Sequence, residues 1–171
     1  DYATADEHEQ ARRRGLSIRS VFGHIVPDYP RLLRDGLYGI RAEAVAGRAQ
    51  CGAAAEEAFL DSVIVAIDGV LAYAERLALS CERQAAAAPA GRAQELHQMA
   101  ANLRQVPAGP ALSFWQGLQS VWLLHMIFHA TMNGNAAGRL DQYAWPLLEA
   151  DLAAGHLDWD RAGELVDCFC L

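Results

Sequence analysis

His125 and His129 stand four residues apart, which on a helix sets two imidazoles one turn apart on one face. That is the ligand spacing of the zinc motif His-Glu-x-x-His. Here Met126 occupies the place of the glutamate that would act as general base, and a third ligand would have to come from Asp141 or Glu149. The residues favour two core or pocket histidines bonded to backbone or carboxylate groups, with no metal. Cys168 and Cys170 project about 200° apart around a helix, so they cannot share one ion and read as small buried hydrophobes. Gly134 and Gly138 flank an alanine-bearing loop that lacks the lysine of a phosphate-binding loop. Arg139 with Asp141 reads as an ion pair at a helix start. His24 lies in an extended segment that bends at Pro27, from which a side chain can point into a cavity.

The elements that must carry these groups are mostly helices. Residues 4–14 are charged and predict a short solvated helix, and Ser17 to Pro27 predicts an extended segment because strand-prone residues precede a proline. Asp28 can cap a helix with Pro30 in its first turn, running to about Gln50. Gly36 and Gly39 weaken that helix and imply close packing by neighbours. From about Glu56 to Gln84, Phe59, Val63, Ile67, Leu71, Ala74, Ala78 and Cys81 recur at helical spacing. Pro89 breaks the pattern before a helix over about Arg92 to Leu103. Ser113 and Gln116 form a capping-box pattern ahead of a helix that is apolar on nearly every face. Further helices are expected over Leu140 to Ala153 and Asp158 to Leu171, the last capped by Asp158.

At 171 residues and 53% apolar composition the chain is a globular domain with a real core. A formal charge of −7 argues against a nucleic-acid groove or an anionic membrane surface as partner. All 14 basic residues are arginine, which beside so many alanines reflects GC-rich coding. Phe114 to Met132 is apolar, yet it holds Gln116, Gln119, His125 and His129 and lacks a polybasic flank, so it reads as a core helix rather than a membrane span. The four cysteines include no Cys-x-x-Cys pair and follow no signal peptide, so the cytoplasm is the expected compartment. Residue 1 is Asp, and Val166 to Leu171 is an apolar run without a closing motif, so the chain is expected to be an excerpt.

Four collinear stretches carry a family resemblance. Phe22-Gly23-His24-Ile25-Val26-Pro27-Asp28-Tyr29, with Leu33 and Gly36-Leu37, is similar to "GH-x-x-PDY…L…GL" of the glycyl radical enzymes, the superfamily of pyruvate formate-lyase. Ala72 to Ala78 resembles the end of that family's long helix. Val106-Pro107, Pro110-Ala111 and Phe114 to Trp122 resemble "VP-x-x-PA-x-x-F-x-EALQ-x-x-W", with Gln116 in place of the usual glutamate. Gly138-Arg139-Leu140-Asp141-Gln142-Tyr143, then Pro146, Asp151 and Gly155, resembles "GR-x-DQY…P…D…G". The polar stretch many members carry before the arginine is shorter here, Asn133 to Gly138, and lacks its serine and histidine, which disfavours a hydroxyl-rich substrate such as glycerol. Phe114, Trp115, Trp122 and Trp145 leave room for an arylacetate, though core packing accounts for them equally well.

The resemblance implies a mainly α segment of a ten-stranded α/β barrel, with residues 1–171 forming one partial domain. It implies a radical lyase or decarboxylase acting on a small organic substrate, anaerobic and homodimeric. A glycyl radical would be installed by a radical S-adenosylmethionine activating enzyme and passed to a cysteine. Neither the radical glycine nor that cysteine matches anything in these residues, so no catalytic residue and no bound cofactor are expected within them. His24, His129 and Trp122 are the expected substrate-pocket residues, and Arg139, Asp141, Gln142 and Tyr143 the structural motif. The competing expectations are a helical scaffold or interaction domain without catalysis, and a metal-dependent hydrolase using His125 and His129.

Overall fold

A computed structural model describes residues 4–14, 21–22, 25–133 and 135–170. Helix α1 (Ala5–Arg13) opens on Thr4, whose hydroxyl accepts from the Glu7 amide while the Glu7 carboxylate accepts from the Thr4 amide at 2.6 Å. Strand β1 (Val21–Phe22) follows, then α2 (Tyr29–Arg48), α3 (Ala54–Ala85), α4 (Ala90–Gln105) and α5 (Phe114–Thr131). Strand β2 (Met132–Asn133) leads to α6 (Leu140–Tyr143), α7 (Trp145–Ala153) and α8 (Trp159–Cys170). The two short strands pair in parallel, Val21 opposite Met132 and Phe22 opposite Asn133. The helix-dominated expectation holds, and the extended segment expected over 17–27 is a strand at Val21–Phe22. Residues 17–20 and 23–24 lie outside the described residues.

The predicted caps form. Asp28 accepts from the Arg31 amide at 3.0 Å and Asp158 from the Arg161 amide at 2.8 Å, each satisfying a donor that the first turn leaves open. Ser113 accepts from the Gln116 amide at 3.2 Å. The Gln116 side chain reaches back one residue further than a capping box requires, to the Leu112 amide at 2.9 Å.

Two expected helices are broken. The helix over 28–50 kinks at Gly36 (φ 64°, ψ 174°) and ends at Arg48. At the kink the backbone is stitched to the segment after α4. Leu37 donates to the Pro107 carbonyl at 2.8 Å, Tyr38 to Ala108 at 2.9 Å, and Ala111 to Leu33 at 2.9 Å. A Cβ on Gly36 would lie 2.4 Å from the Gly109 carbonyl carbon, so the close approach is possible only without a side chain. The helix over 140–153 divides at Ala144, because Pro146 has no amide to continue the ladder.

Three apolar clusters meet on α5, which is why that helix is apolar nearly all round. Val121 and Leu124 join Tyr29, Leu32, Leu33, Leu37 and Ile67 from α2 and α3. Leu123 joins Ala74, Ala78, Leu96 and Leu103 from α3 and α4. Phe114 and Leu118 join Ala144, Ala162 and Leu165 beside α7 and α8. Asn102 ties α4 to α5 by donating to the Gln119 side chain at 3.1 Å, and Gln119 donates to the Met99 carbonyl at 3.0 Å. Phe59, on the periodic stripe of α3, is nonetheless 65% exposed, since no element among the described residues covers it.

Candidate functional site

The parallel pairing of β1 with β2 brings together two segments that are 111 positions apart in sequence, and the backbone beyond each strand stays alongside the other. Ala136 donates to the Ile25 carbonyl at 3.1 Å. Gly138 adopts φ 68°, and a Cβ there would come within 2.6 Å of the Val26 Cγ1, so the loop closes against Val26 only because it is glycine. In parallel α/β architectures ligands gather beyond the carboxyl ends of the strands, and residues 25–26 and 135–138 occupy that position here.

Aromatic and imidazole side chains clamp the 135–138 loop from the helices. His129 Nε2 donates to the Asn135 carbonyl at 3.3 Å, and the Tyr143 hydroxyl donates to the Ala137 carbonyl at 2.8 Å. Behind them Tyr29, buried to 1% exposure, hydrogen-bonds with His125 Nδ1 at 3.1 Å. Its ring lies 5.9 Å from that of Tyr143, and the His125 and His129 rings meet edge-on at 4.5 Å. Burial pushes the Tyr29 phenol up to about 12 and raises Tyr143 as well, with a smaller push from Tyr29. Burial, and then the neighbouring His129, hold His125 below the usual histidine range. Tyr29, Tyr143 and His125 are therefore uncharged near neutrality. They position backbone; they do not supply charge.

The expected site residues separate. His129 reaches the loop's backbone. His24 lies outside the described residues, between Phe22, which pairs with Asn133, and Ile25, which accepts from Ala136. Trp122 lies elsewhere, lining an open groove formed by α4, α5 and α8 with Met99, Trp115, Phe169 and Arg161, whose guanidinium sits 5.2 Å from the Trp115 ring centre. Arg139 and Asp141 form the expected ion pair, doubly bonded at 2.9 and 2.6 Å and exposed to solvent. Each holds the other charged: the Asp141 carboxyl is below its ordinary range and the Arg139 guanidinium above. The Gln142 backbone amide closes the turn on the Arg139 carbonyl.

Two expectations are corrected. Cys168 and Cys170 are exposed rather than buried, because α8 packs through Ala162, Leu165 and Phe169 and leaves the two thiols on opposite flanks of that face, Cys168 along the groove that Trp122 lines. Of the histidine pair, His129 meets a backbone carbonyl as expected, whereas His125 meets a phenol rather than a backbone or carboxylate group. Among the described residues no three His, Cys, Asp or Glu side chains converge as a metal site would require, and Asp141 is committed to Arg139. No helix among the described residues is long and apolar enough to cross a membrane.

Two buried polar residues have surroundings that the sequence did not disclose. Asp151 is 8% exposed and accepts from the Phe114 amide at 2.8 Å, capping α5 from 37 positions away. Asn135 is also 8% exposed, and among the described residues neither end of its carboxamide has a partner. The available signal for Asp151 was its place as the aspartate of the stretch that resembles "GR-x-DQY…P…D…G". For Asn135 there was none beyond its place in the loop.

The pyruvate formate lyase-like family matches residues 3–171. The chain is 33% identical over 153 residues to the isethionate sulfite-lyase of Nitratidesulfovibrio vulgaris, covering 84% of this chain and 18% of that protein. It superposes with a TM-score of 0.81 and 34% identity on a structure describing 1,2-propanediol dehydration in Roseburia inulinivorans, covering 85% of this chain and 18% of that one. A glycyl radical enzyme from Archaeoglobus fulgidus gives a TM-score of 0.79 at 26% identity, over 85% and 20% of the two chains. The chain thus spans about a fifth of the length of these relatives.

Proposed function

The chain belongs to the pyruvate formate lyase-like family, and from that premise we propose that it is an N-terminal-half segment of a glycyl radical enzyme, one that eliminates a group from a small organic substrate. The observation that carries the reading is the parallel β1–β2 pair, with its two following segments held side by side, inside a chain matched from residue 3 to residue 171. The relatives' chemistries, loss of sulfite from isethionate and dehydration of 1,2-propanediol, are both eliminations.

A glycyl radical, installed by a radical S-adenosylmethionine activating enzyme and passed to a cysteine outside these residues, would supply the hydrogen abstraction from substrate. These residues supply the enclosure. An organic radical survives only where water and stray hydrogen donors are kept out, and three apolar clusters along α5 make one wall of such a chamber. The clamps from His129 and Tyr143 fix the backbone of the 135–138 loop, so that the pocket keeps its shape while the bond breaks. His24 and His129, with the 135–138 loop, are the substrate-pocket residues of this reading, and Trp122 lines its own groove between α4, α5 and α8. The whole enzyme is an anaerobic cytoplasmic homodimer, and the 171 residues alone are inert.

Electron paramagnetic resonance tests the reading. The polypeptide continued past Leu171, incubated anaerobically with activating enzyme, S-adenosylmethionine and reductant, develops a glycyl doublet and consumes 1,2-propanediol or isethionate. The 171-residue chain develops none. A doublet on these residues alone, or none on the continued polypeptide, refutes it.

A further inference from the structure

The peptide unit between Asn135 and Ala136 is gripped at both ends. Its amide donates to the Ile25 carbonyl at 3.1 Å, and its carbonyl accepts from His129 Nε2 at 3.3 Å. One peptide plane thus joins the last turn of α5 to the segment beyond β1. A carbonyl can only accept, so His129 Nε2 carries hydrogen in this bond, and Nδ1 is the atom left to gain or lose a proton. At 3.3 Å the bond is long for an N–H donor, which leaves room for it to shorten.

His129 is also placed to hold charge, and its neighbour is not. It is exposed to solvent in the last turn of α5, where unpaired carbonyls favour a cation. His125 lies one turn deeper, half-buried, with Nδ1 on the Tyr29 hydroxyl and its ring edge-on to His129 at 4.5 Å. Two imidazolium ions so close repel, and burial already holds His125 below the usual histidine range. The groups around the pair are the Tyr29 phenol from α2, the Tyr143 phenol behind it from α6, and the Asn135 carbonyl. From α3 the same cluster receives Ile67 and other apolar side chains. Among the described residues neither histidine forms an ion pair, and Asp141 is committed to Arg139. His24 lies outside the described residues.

We infer that His129 is a proton-driven latch on the 135–138 loop. A proton on its Nδ1 makes the Nε2–H bond to the Asn135 carbonyl charge-assisted and stiffens the loop, while His125 stays neutral. Hydrogen bonds from a charged donor are shorter and about twice as strong as neutral ones. The pull also polarises the shared peptide, so its amide donates more strongly to Ile25. An imidazole ordinarily takes up such a proton at about pH 6.5, so mild acid is enough to operate a latch of this kind. That the loop lines a substrate pocket rests on the proposed function; the latch itself does not. Together they make pH a regulator of the pocket's stiffness.

Hydrogen–deuterium exchange tests the latch on the full-length polypeptide that carries this chain, before activation and without substrate. The readout is protection of the Ala136 amide, its rate set against an unstructured peptide at the same pH to remove the intrinsic pH dependence. From about pH 8 to about pH 6, protection in wild type rises at least about 3-fold. His129→Gln keeps an uncharged donor, so it holds the loop as wild type does at the higher pH and loses the rise. His125→Gln keeps the rise, because the proton sits on His129. Protection that is flat or falls with acid in wild type, a rise that survives in H129Q, or one lost in H125Q overturns the inference. If H125Q does not fold, wild type and H129Q decide. Resonance on activated protein judges the radical reading apart. A glycyl doublet without a latch sinks the latch alone, and a latch without a doublet sinks the radical reading alone.

Discussion

Gly36→Ala should be among the most damaging single methyl groups that can be added to this chain. Gly36 sits at φ 64°, ψ 174°, a region essentially closed to residues with a side chain, where a non-glycine costs roughly 1–3 kcal/mol. The added Cβ would also lie 2.4–2.6 Å from three backbone atoms of Ala108 and Gly109, none of which is the end of a flexible side chain. Relief of that overlap must separate the α2 kink from the 107–111 segment and so endanger the bonds from Leu37, Tyr38 and Ala111. At about 0.5–1.5 kcal/mol for each bond, the total reaches roughly 3–7 kcal/mol. A domain is ordinarily stable by only about 5–15 kcal/mol, so much of the native state is at stake. Urea unfolding followed by circular dichroism measures it: with a slope of about 1–3 kcal/mol per molar, the midpoint falls by at least about 1 M. Gly69→Ala is the control. Gly69 lies mid-helix in α3 with nothing within 4 Å of a new Cβ, so the same methyl group should stabilise by about 0.5–1 kcal/mol. If G36A unfolds within about 1 kcal/mol of wild type, the kink is not held as argued.

Asp151→Ala removes the buried acceptor of the Phe114 amide and should cost about 1–3 kcal/mol in the same urea assay, with faster amide exchange in the first turn of α5. Stability should also fall with acid through His125. Its folded pKa lies below that of an unfolded histidine, so protons bind the unfolded chain more tightly. The contribution is therefore fully present above about pH 6.5, is lost as pH falls toward the depressed folded value, and is flat below it. His125→Gln should reduce the slope of stability against pH in that window, and an unchanged slope would show that the ring is not shielded.

Local signals in the sequence were legible. Asp28, Ser113 and Asp158 cap where their spacing to the following amides predicts, because a cap is decided within four residues. The stripe on α3 and the all-round apolar character of α5 were visible for the same reason, periodicity being local. What stayed hidden depends on partners far along the chain. Gly36 implies close packing by neighbours, as found, but not that the neighbours are Pro107, Ala108 and Gly109. The motif position of Asp151 does not disclose that it caps Phe114, and the exposure of Phe59 depends on what fails to cover it. In the candidate site, the family motif was legible as a pattern, but its side chains divide in function. Arg139 and Asp141 satisfy each other at the surface, Tyr143 holds a loop carbonyl, and Asn135, outside the recognised letters, is the side chain left open.

The 32 residues of α3 make a rod about 48 Å long, longer than a small domain is wide. It packs against α2 along one part and α4 along another, so it works as a ruler whose two ends must also agree in phase. One inserted residue would lengthen the rod by only about 1.5 Å, but it would turn everything beyond it by about 100°. The Ile67 side would then no longer face α2 when the Ala78 side faces α4. Sequence drift along this rod can change the letters freely on its outer side, but its length should vary only in steps close to whole turns.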